Sequence, residues 1–204
     1  MGHFPRLYAI ADAFILPDTA SLLHFARELA AGGVTLLQYR NKSANARPML
    51  EQAMELRKIL RPDVKLMIDD RSDLCIAANC DGVHVGQEDL SPEAVRRIIG
   101  PDCWLGVSTH NPGQVQEADL TSANYIAIGP VFATCSKQQP DPVVGLEGVS
   151  HARRMTNKPL VAIGGITRMN CRSVIEAGAD AVAVIGDLVQ DPGKSAEEFL
   201  RILM

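Results

Sequence analysis

The sequence predicts a closed (β/α)8 barrel, a single domain spanning residues 1–204. Three observations predict it. Eight short apolar runs recur along the chain, alternating with stretches of helical periodicity. The runs are continuously apolar rather than alternating, as expected of strands covered on both faces. Each run then breaks into glycine or into charged and polar residues, and a parallel barrel gathers all such breaks on one mouth. The competing arrangement, an open doubly wound sheet, has fewer strands and a glycine-rich phosphate-binding first turn. Here the first turn reads Asp12-Ala13-Phe14, without those glycines.

The elements follow in order. Leu7 to Ala11 is the first strand, ending at Asp12. From Thr19 to Ala31, Leu22, Leu23, Ala26, Leu29 and Ala30 repeat at helical spacing, and Gly32-Gly33 stops the pattern. Val34 to Leu37 is the second strand, and Pro48 to Leu60 the second helix, with Met49, Leu50, Ala53, Leu56 and Leu60 on one face. Further strands are expected at 65–68, 82–85, 104–107, 125–128, 160–163 and 181–185. Helices are expected at 73–79, 92–99, 112–120, 147–156, 168–177 and 195–202. Ser91-Pro92 and Asn111-Pro112 each pair a capping side chain with proline in the first turn. Thr167 is expected to cap the helix from Arg168, and Gly178 to end it. The longest polar insertion, Cys135 to Val144, suits an active-site flap.

Composition excludes several classes. A formal net charge of −4 with no basic stripe argues against a nucleic-acid partner. No apolar stretch is long enough for a bilayer, and the N-terminus lacks a signal pattern. The five cysteines are odd in number and match no zinc or redox spacing, so a reducing cytoplasm is expected. A homo-oligomer is left open.

The strand ends carry the chemistry. Asp70 and Asp89 close the third and fourth strands, neighbours in a barrel. Either alone fits the charge of a helix N-terminus. Two close carboxylates repel unless a cation separates them, so the pair points to magnesium. Arg40, Lys42 and Lys137 bring cations to the same mouth, suited to a diphosphate leaving group. Gln38 offers both donor and acceptor to a heterocycle edge. Gly164-Gly165 after the seventh strand and Ile185-Gly186 after the eighth stand where these barrels hold phosphate on backbone N–H groups. His84 reads as a core or barrel-interior histidine, and His3, His24 and His151 as surface residues. His110 could act as an acid or base but, taken alone, reads as structural.

Seven motifs in this order resemble the thiamine phosphate synthase family over essentially the whole chain. They are Gln38-Tyr39-Arg40-Asn41-Lys42, Ile68-Asp69-Asp70-Arg71, the stretch from Gly82 to Leu90, Gly106-Val107-Ser108-Thr109-His110, the stretch from Gly129 to Thr134, Gly145-Leu146-Glu147-Gly148, and Ala162-Ile163-Gly164-Gly165-Ile166. The resemblance implies condensation of a pyrimidine methyl diphosphate with a thiazole phosphate, releasing pyrophosphate. It also implies roles. Gln38, Arg40, Lys42, Asp69, Ser108 and Lys137 would contact the pyrimidine diphosphate, Arg40, Ser108 and Lys137 taking part in catalysis. Asp70 and Asp89 would hold Mg2+, and Thr134, Ser136, Gly165, Ile185 and Gly186 the thiazole phosphate. Three positions depart from the family pattern. Asp69 stands for asparagine, Ser136 for threonine, and Gly186 for serine, the last losing a hydrogen bond of about 1 kcal/mol. The rival expectations are a thiazole tautomerase of similar fold, using His110, and a non-catalytic binder of phosphorylated thiamine precursors.

Overall fold

Eight parallel strands close in chain order in the computed structural model, which describes residues 4–16, 18–43, 45–134 and 141–204. They are β1 (Leu7–Asp12), β2 (Leu36–Arg40), β3 (Lys65–Asp69), β4 (Gly82–Val85), β5 (Trp104–Thr109), β6 (Tyr125–Ile128), β7 (Leu160–Ile163) and β8 (Ala181–Val184). The helices are α1 (Thr19–Ala31), α2 (Ala46–Ile59), α3 (Ser72–Ala77), α4 (Pro92–Ile99), α5 (Pro112–Asp119), α6 (Gly145–Met155), α7 (Cys171–Glu176) and α8 (Pro192–Leu203). A short 3-10 turn, Gly186–Leu188, follows β8. The expected barrel is the observed one. No helix among the described residues is long and apolar enough to cross a membrane.

Local signals explain several helix ends. Ser91 Oγ accepts from Ala94 N–H at 3.3 Å, and Asn111 Oδ1 accepts from Gln114 N–H at 3.0 Å. Asp18 does the same for α1, accepting from Ser21 N–H at 2.8 Å. One expected cap is corrected. The helix after β7 begins at Cys171, not Arg168, because Asn170 Oδ1 accepts from Thr167 N–H at 2.8 Å and holds residues 167–170 in a turn.

Strand residues alternate between two layers of core. Those pointing outward, such as Leu37, Tyr39, Ile68, Val83, Leu105 and Val107, pack with the apolar faces of the helices. Those pointing inward fill the barrel: Tyr8, Ile10, Leu36, Met67, Tyr125, Ala127, Val161, Ala181 and Ala183. Phe4 and Trp104 close the floor, their rings stacked 5.3 Å apart. Towards the mouth the inward positions turn polar, and this corrects the expected ends of two strands. β2 runs on through Gln38 and Arg40, and β5 through Ser108, because polar side chains there face the lumen while Leu37, Tyr39 and Val107 still face the helices.

Candidate active site

Strand register sets the first contacts. Asp12 pairs with Arg40 across β1 and β2, and Asp69 with His84 across β3 and β4. Both strand-end carboxylates are nearly buried, and each meets a cation. Asp12 Oδ2 lies 2.5 Å from Arg40 Nη1, while its Oδ1 accepts from Phe14 N–H at 2.9 Å. The guanidinium is thereby fixed by a carboxylate that is itself held by the backbone. The sequence marks Asp12 only as the end of the first strand. Its partner is 28 residues away, so only the closed sheet reveals the pairing.

Arg40 Nε then approaches Asp69 Oδ2 at 3.8 Å, and Lys42 Nζ reaches the same oxygen at 2.8 Å. Lys42 also bonds to Asp70 Oδ2. Burial works against the Lys42 charge, but Asp69 and Asp70 outweigh it and raise its pKa above the ordinary lysine value. It stays an ammonium at neutral pH. Asp69 is the least comfortable group. Burial pushes its pKa up against the pull of Lys42 and Arg40, and among the described residues no well-directed hydrogen bond reaches its Oδ2 although Lys42 is near. Asp70 adopts the left-handed backbone, φ 59°, which turns its side chain at the strand end.

Asp89 lies on the adjoining loop after β4, where its Oδ2 accepts from Gly86 N–H at 2.8 Å. Burial first, and then the neighbouring Asp70 carboxylate, raise its pKa above the ordinary value. Among the described residues, Asp12, Asp69, Asp70 and Asp89 thus meet Arg40 and Lys42 as their cations. Ionised, these six side chains carry a net negative charge, which favours a bound cation. The donors are hard oxygens, and among the described residues Asp69 Oδ2 lacks a well-directed partner, so the residues fit magnesium. Among the described residues no three His, Cys, Asp or Glu side chains converge as a metal cluster. A cation here would therefore take two carboxylates and complete its shell from substrate and solvent, as magnesium commonly does.

Beneath this charged rim lies a buried polar series inside the barrel. Gln38 Nε2 is 2.9 Å from the Tyr8 hydroxyl, and the Tyr8 and Tyr125 hydroxyls are 3.0 Å apart. His84 Nδ1 is 3.0 Å from the Tyr125 hydroxyl, and its Nε2 is 2.8 Å from Ser108 Oγ. Burial depresses the His84 pKa to about 4, with Lys42 adding to the effect, so the ring is neutral at pH 7. His84 is indeed inside the barrel. Tyr8 and Tyr125 were missed from the sequence. Their one available signal was a phenol in a continuously apolar strand, since a buried hydroxyl needs a partner.

The opposite side of the mouth is built from backbone. Val131 N–H donates to Ile163 O at 2.9 Å and Phe132 N–H to Gly164 O at 3.0 Å, pinning the loop after β6 against the loop after β7. This brings the Phe132–Thr134 stretch beside Gly165. A Cβ on Gly165 would lie 2.5 Å from Ala133 O, and its φ of +63° is itself unfavourable for other residues. Among the described residues the N–H groups of Gly165 and Gly186 make no hydrogen bond. Ile185 precedes Gly186 at the start of the 3-10 turn. Ser136 and Lys137, expected in this mouth, lie outside the described residues, as does His3.

His110 is placed differently from the acid–base group it could have been. Its Nδ1 lies 2.6 Å from Gly129 O, and its ring lines a cavity of about 200 Å³ with Pro112, Val115, Ile128, Val144 and His151. That cavity lies among outward-facing residues of α5, α6 and β6, and His110 Nε2 is 3.5 Å from Asp141 Oδ2. His24 and His151 are exposed.

A family model described as thiamine monophosphate synthase matches residues 7–188. A thiamine-phosphate synthase of Koribacter versatilis (strain Ellin345) is 61% identical over 202 residues, 98% of this chain and 96% of that protein. One from Chloroflexus aurantiacus is 41% identical over 203 residues, covering 98% and 92%. Among solved structures, thiamine phosphate pyrophosphorylase from Pyrococcus furiosus matches with a TM-score of 0.87 and 35% identity, over 97% of this chain and 95% of that one. The (β/α)8 chain with this charged and glycine-lined mouth belongs to the thiamine monophosphate synthase family.

Proposed function

We propose that this chain, which condenses a pyrimidine methyl diphosphate with a thiazole phosphate in thiamine biosynthesis, holds the two substrates on opposite halves of its mouth. The diphosphate goes to the half after β2–β5, and the thiazole phosphate to the half after β6–β8. The observation that carries this division is the charge ladder Asp12–Arg40–Asp69–Lys42–Asp70, set against a far side of glycine and backbone N–H groups.

Asp70 and Asp89 are the residues that would hold Mg2+. Bound there, the cation would neutralise charge on the departing pyrophosphate oxygens. Arg40 binds the diphosphate from a position that Asp12 fixes in advance, which is how prearranged charge lowers a barrier. Lys42 gives up part of its contact with Asp69 and Asp70 to bind phosphate oxygens. Lys137 adds the third cation that the family resemblance implies. Gln38 and Ser108 orient the aminopyrimidine ring, and Thr134, Ser136, Gly165, Ile185 and Gly186 hold the thiazole phosphate.

The reaction breaks the methylene C–O bond, the electron pair leaving with pyrophosphate, and forms a C–N bond from the thiazole nitrogen lone pair. The electron-rich aminopyrimidine can carry the positive charge that builds at the methylene carbon. No proton leaves the thiazole nitrogen, so no general base is needed. His84, the histidine inside the barrel, is buried, neutral and engaged at both nitrogens.

The test is pyrophosphate release measured with each substrate alone and with both together. Release that requires both substrates and Mg2+ is expected. Isomerisation of the thiazole phosphate without pyrophosphate, or tight binding without coupling, would overturn the reading.

A further inference from the structure

The five groups Gln38, Tyr8, Tyr125, His84 and Ser108 come from five different strands, and they form one unbranched series across the barrel interior. Tyr8, Tyr125 and His84 are buried, so each must satisfy its donor and acceptor within the series. A neutral imidazole has one N–H and one bare nitrogen, and a phenol hydroxyl gives one proton and accepts another. Full satisfaction then requires every link to point the same way.

Suppose instead that the hydroxyls of Tyr8 and Tyr125 pointed against the Gln38 end. With the Gln38 amide donating to Tyr8, a Tyr125 proton aimed at Tyr8 would leave the Tyr8 proton without an acceptor among the described residues. A buried donor left unpaired forfeits its hydration with nothing in return. The direction is therefore set at one end by Gln38, whose Nε2 faces Tyr8. Gln38 donates to Tyr8, Tyr8 to Tyr125, Tyr125 to His84 Nδ1, and His84 Nε2–H to Ser108 Oγ. Reversal of the whole series would need the Gln38 amide turned over.

A second observation supports the link in the middle. A Cβ on Gly106 would fall 2.1 Å from Tyr125 Cζ, 2.3 Å from its hydroxyl and 2.5 Å from His84 Nδ1. The backbone of Gly106 carries no unusual φ, so the lack of a side chain there provides space for the Tyr125–His84 contact.

We infer that this one-way series fixes His84 as the Nε2–H tautomer, so that the Ser108 hydroxyl donates into the mouth while Gln38 Oε1 stays free as an acceptor. Tyr8, Tyr125 and His84 are positioning residues that act through the two ends. The site they prepare takes a heterocycle with a donor, such as an exocyclic amine, opposite Gln38 and an acceptor opposite Ser108. Replacing that amine by an oxo group would set acceptor against acceptor at Gln38. This inference about substrate polarity rests on the synthase reading; the tautomer does not.

Long-range 1H–15N correlation spectra of 15N-histidine-labelled protein at neutral pH test the tautomer directly, with His84 assigned by its loss in His84→Gln. The expected result is a bare Nδ1 and a protonated Nε2. A proton on Nδ1, or averaging over both nitrogens, would overturn the inference whatever the enzyme does. Kinetics test the link to substrate. Tyr125→Phe, which keeps the ring packing, should raise KM for the pyrimidine diphosphate about tenfold and leave that for thiazole phosphate unchanged. His84→Gln, with an amide where Nε2 stood, should recover more of this affinity than His84→Asn. Equal changes in both KM values, or none, would contradict the positioning role. Absence of any coupling activity in the unaltered protein would instead count against the synthase reading and leave the spectrum to decide the tautomer.

Discussion

On the proposed division of the mouth, its two halves recognise phosphate in opposite ways. After β2 to β5 the side chains do it: Arg40 and Lys42 stand among Asp12, Asp69, Asp70 and Asp89, with Arg40 2.5 Å from Asp12 and Lys42 2.8 Å from Asp69. After β7 and β8 the backbone does it, and charged side chains are turned elsewhere. Arg168, the nearest arginine there in sequence, is tied to Asp187 and Glu198. The difference follows from what each half must do. A leaving diphosphate gains charge during the reaction, so counter-charge held in place close by lowers the barrier. A phosphate that merely anchors the second substrate keeps its charge, and fixed N–H groups suffice.

That contrast can be broken first at Arg40. Arg40→Ala removes the cation and leaves Asp12 without its partner, so turnover should fall roughly 100- to 1,000-fold. Steady-state pyrophosphate release would measure it. A loss under tenfold would mean that the charged half is a structural network and not a binding surface.

Next in size is a pH effect below the rim. His84 has a folded pKa of about 4 against an ordinary 6.5, so the unfolded chain binds the extra proton first. Its neutral form therefore contributes stability that is present above pH 6.5 and lost as pH falls towards 4, amounting to about 3 kcal/mol. Asp69, raised by burial, acts in the opposite sense and gains by protonation over acid pH. Denaturant unfolding of the protein beside His84→Gln isolates the histidine. We expect the stability difference between them to shrink as pH drops from 6.5 to 4, and a constant difference would contradict this.

The backbone half is sharpened by two glycines with different surroundings. Gly165→Ala imposes strain at φ +63° and a contact with Ala133 O, of order 1–3 kcal/mol. KM for thiazole phosphate should rise about tenfold or more, with that for the pyrimidine substrate little changed. A Cβ on Gly186 meets nothing within 4 Å, so Gly186→Ser fits without strain. Its added hydroxyl should improve thiazole phosphate binding by about 1 kcal/mol, read as a several-fold lower KM.

The fold was legible because eight apolar runs and their helical partners repeat, a pattern that survives small errors at strand ends. Polarity misleads at two strand ends: Gln38, Arg40 and Ser108 are polar residues of β2 and β5 that face the lumen near its mouth. The expected second strand also begins two residues early, at Val34, and the eighth runs one too far, to Ile185. Among the candidate residues, Asp70, Asp89, Arg40 and Lys42 could be grouped because a barrel brings successive strand ends together. What could not be read was pairing across long separations. Asp12 meets Arg40 over 28 residues, and Tyr125 meets Tyr8 over 117. Neither follows from local pattern, because the register of a closed sheet decides both.

Equilibrium titration of each substrate alone into Arg40→Ala and Gly165→Ala, with Mg2+ present, tests the division of the mouth most directly. The expected result is a crossed pattern: Arg40→Ala loses the pyrimidine diphosphate and keeps thiazole phosphate, and Gly165→Ala does the reverse. Equal loss of both substrates in either variant, or thiazole phosphate binding that depends on Arg40, would contradict it.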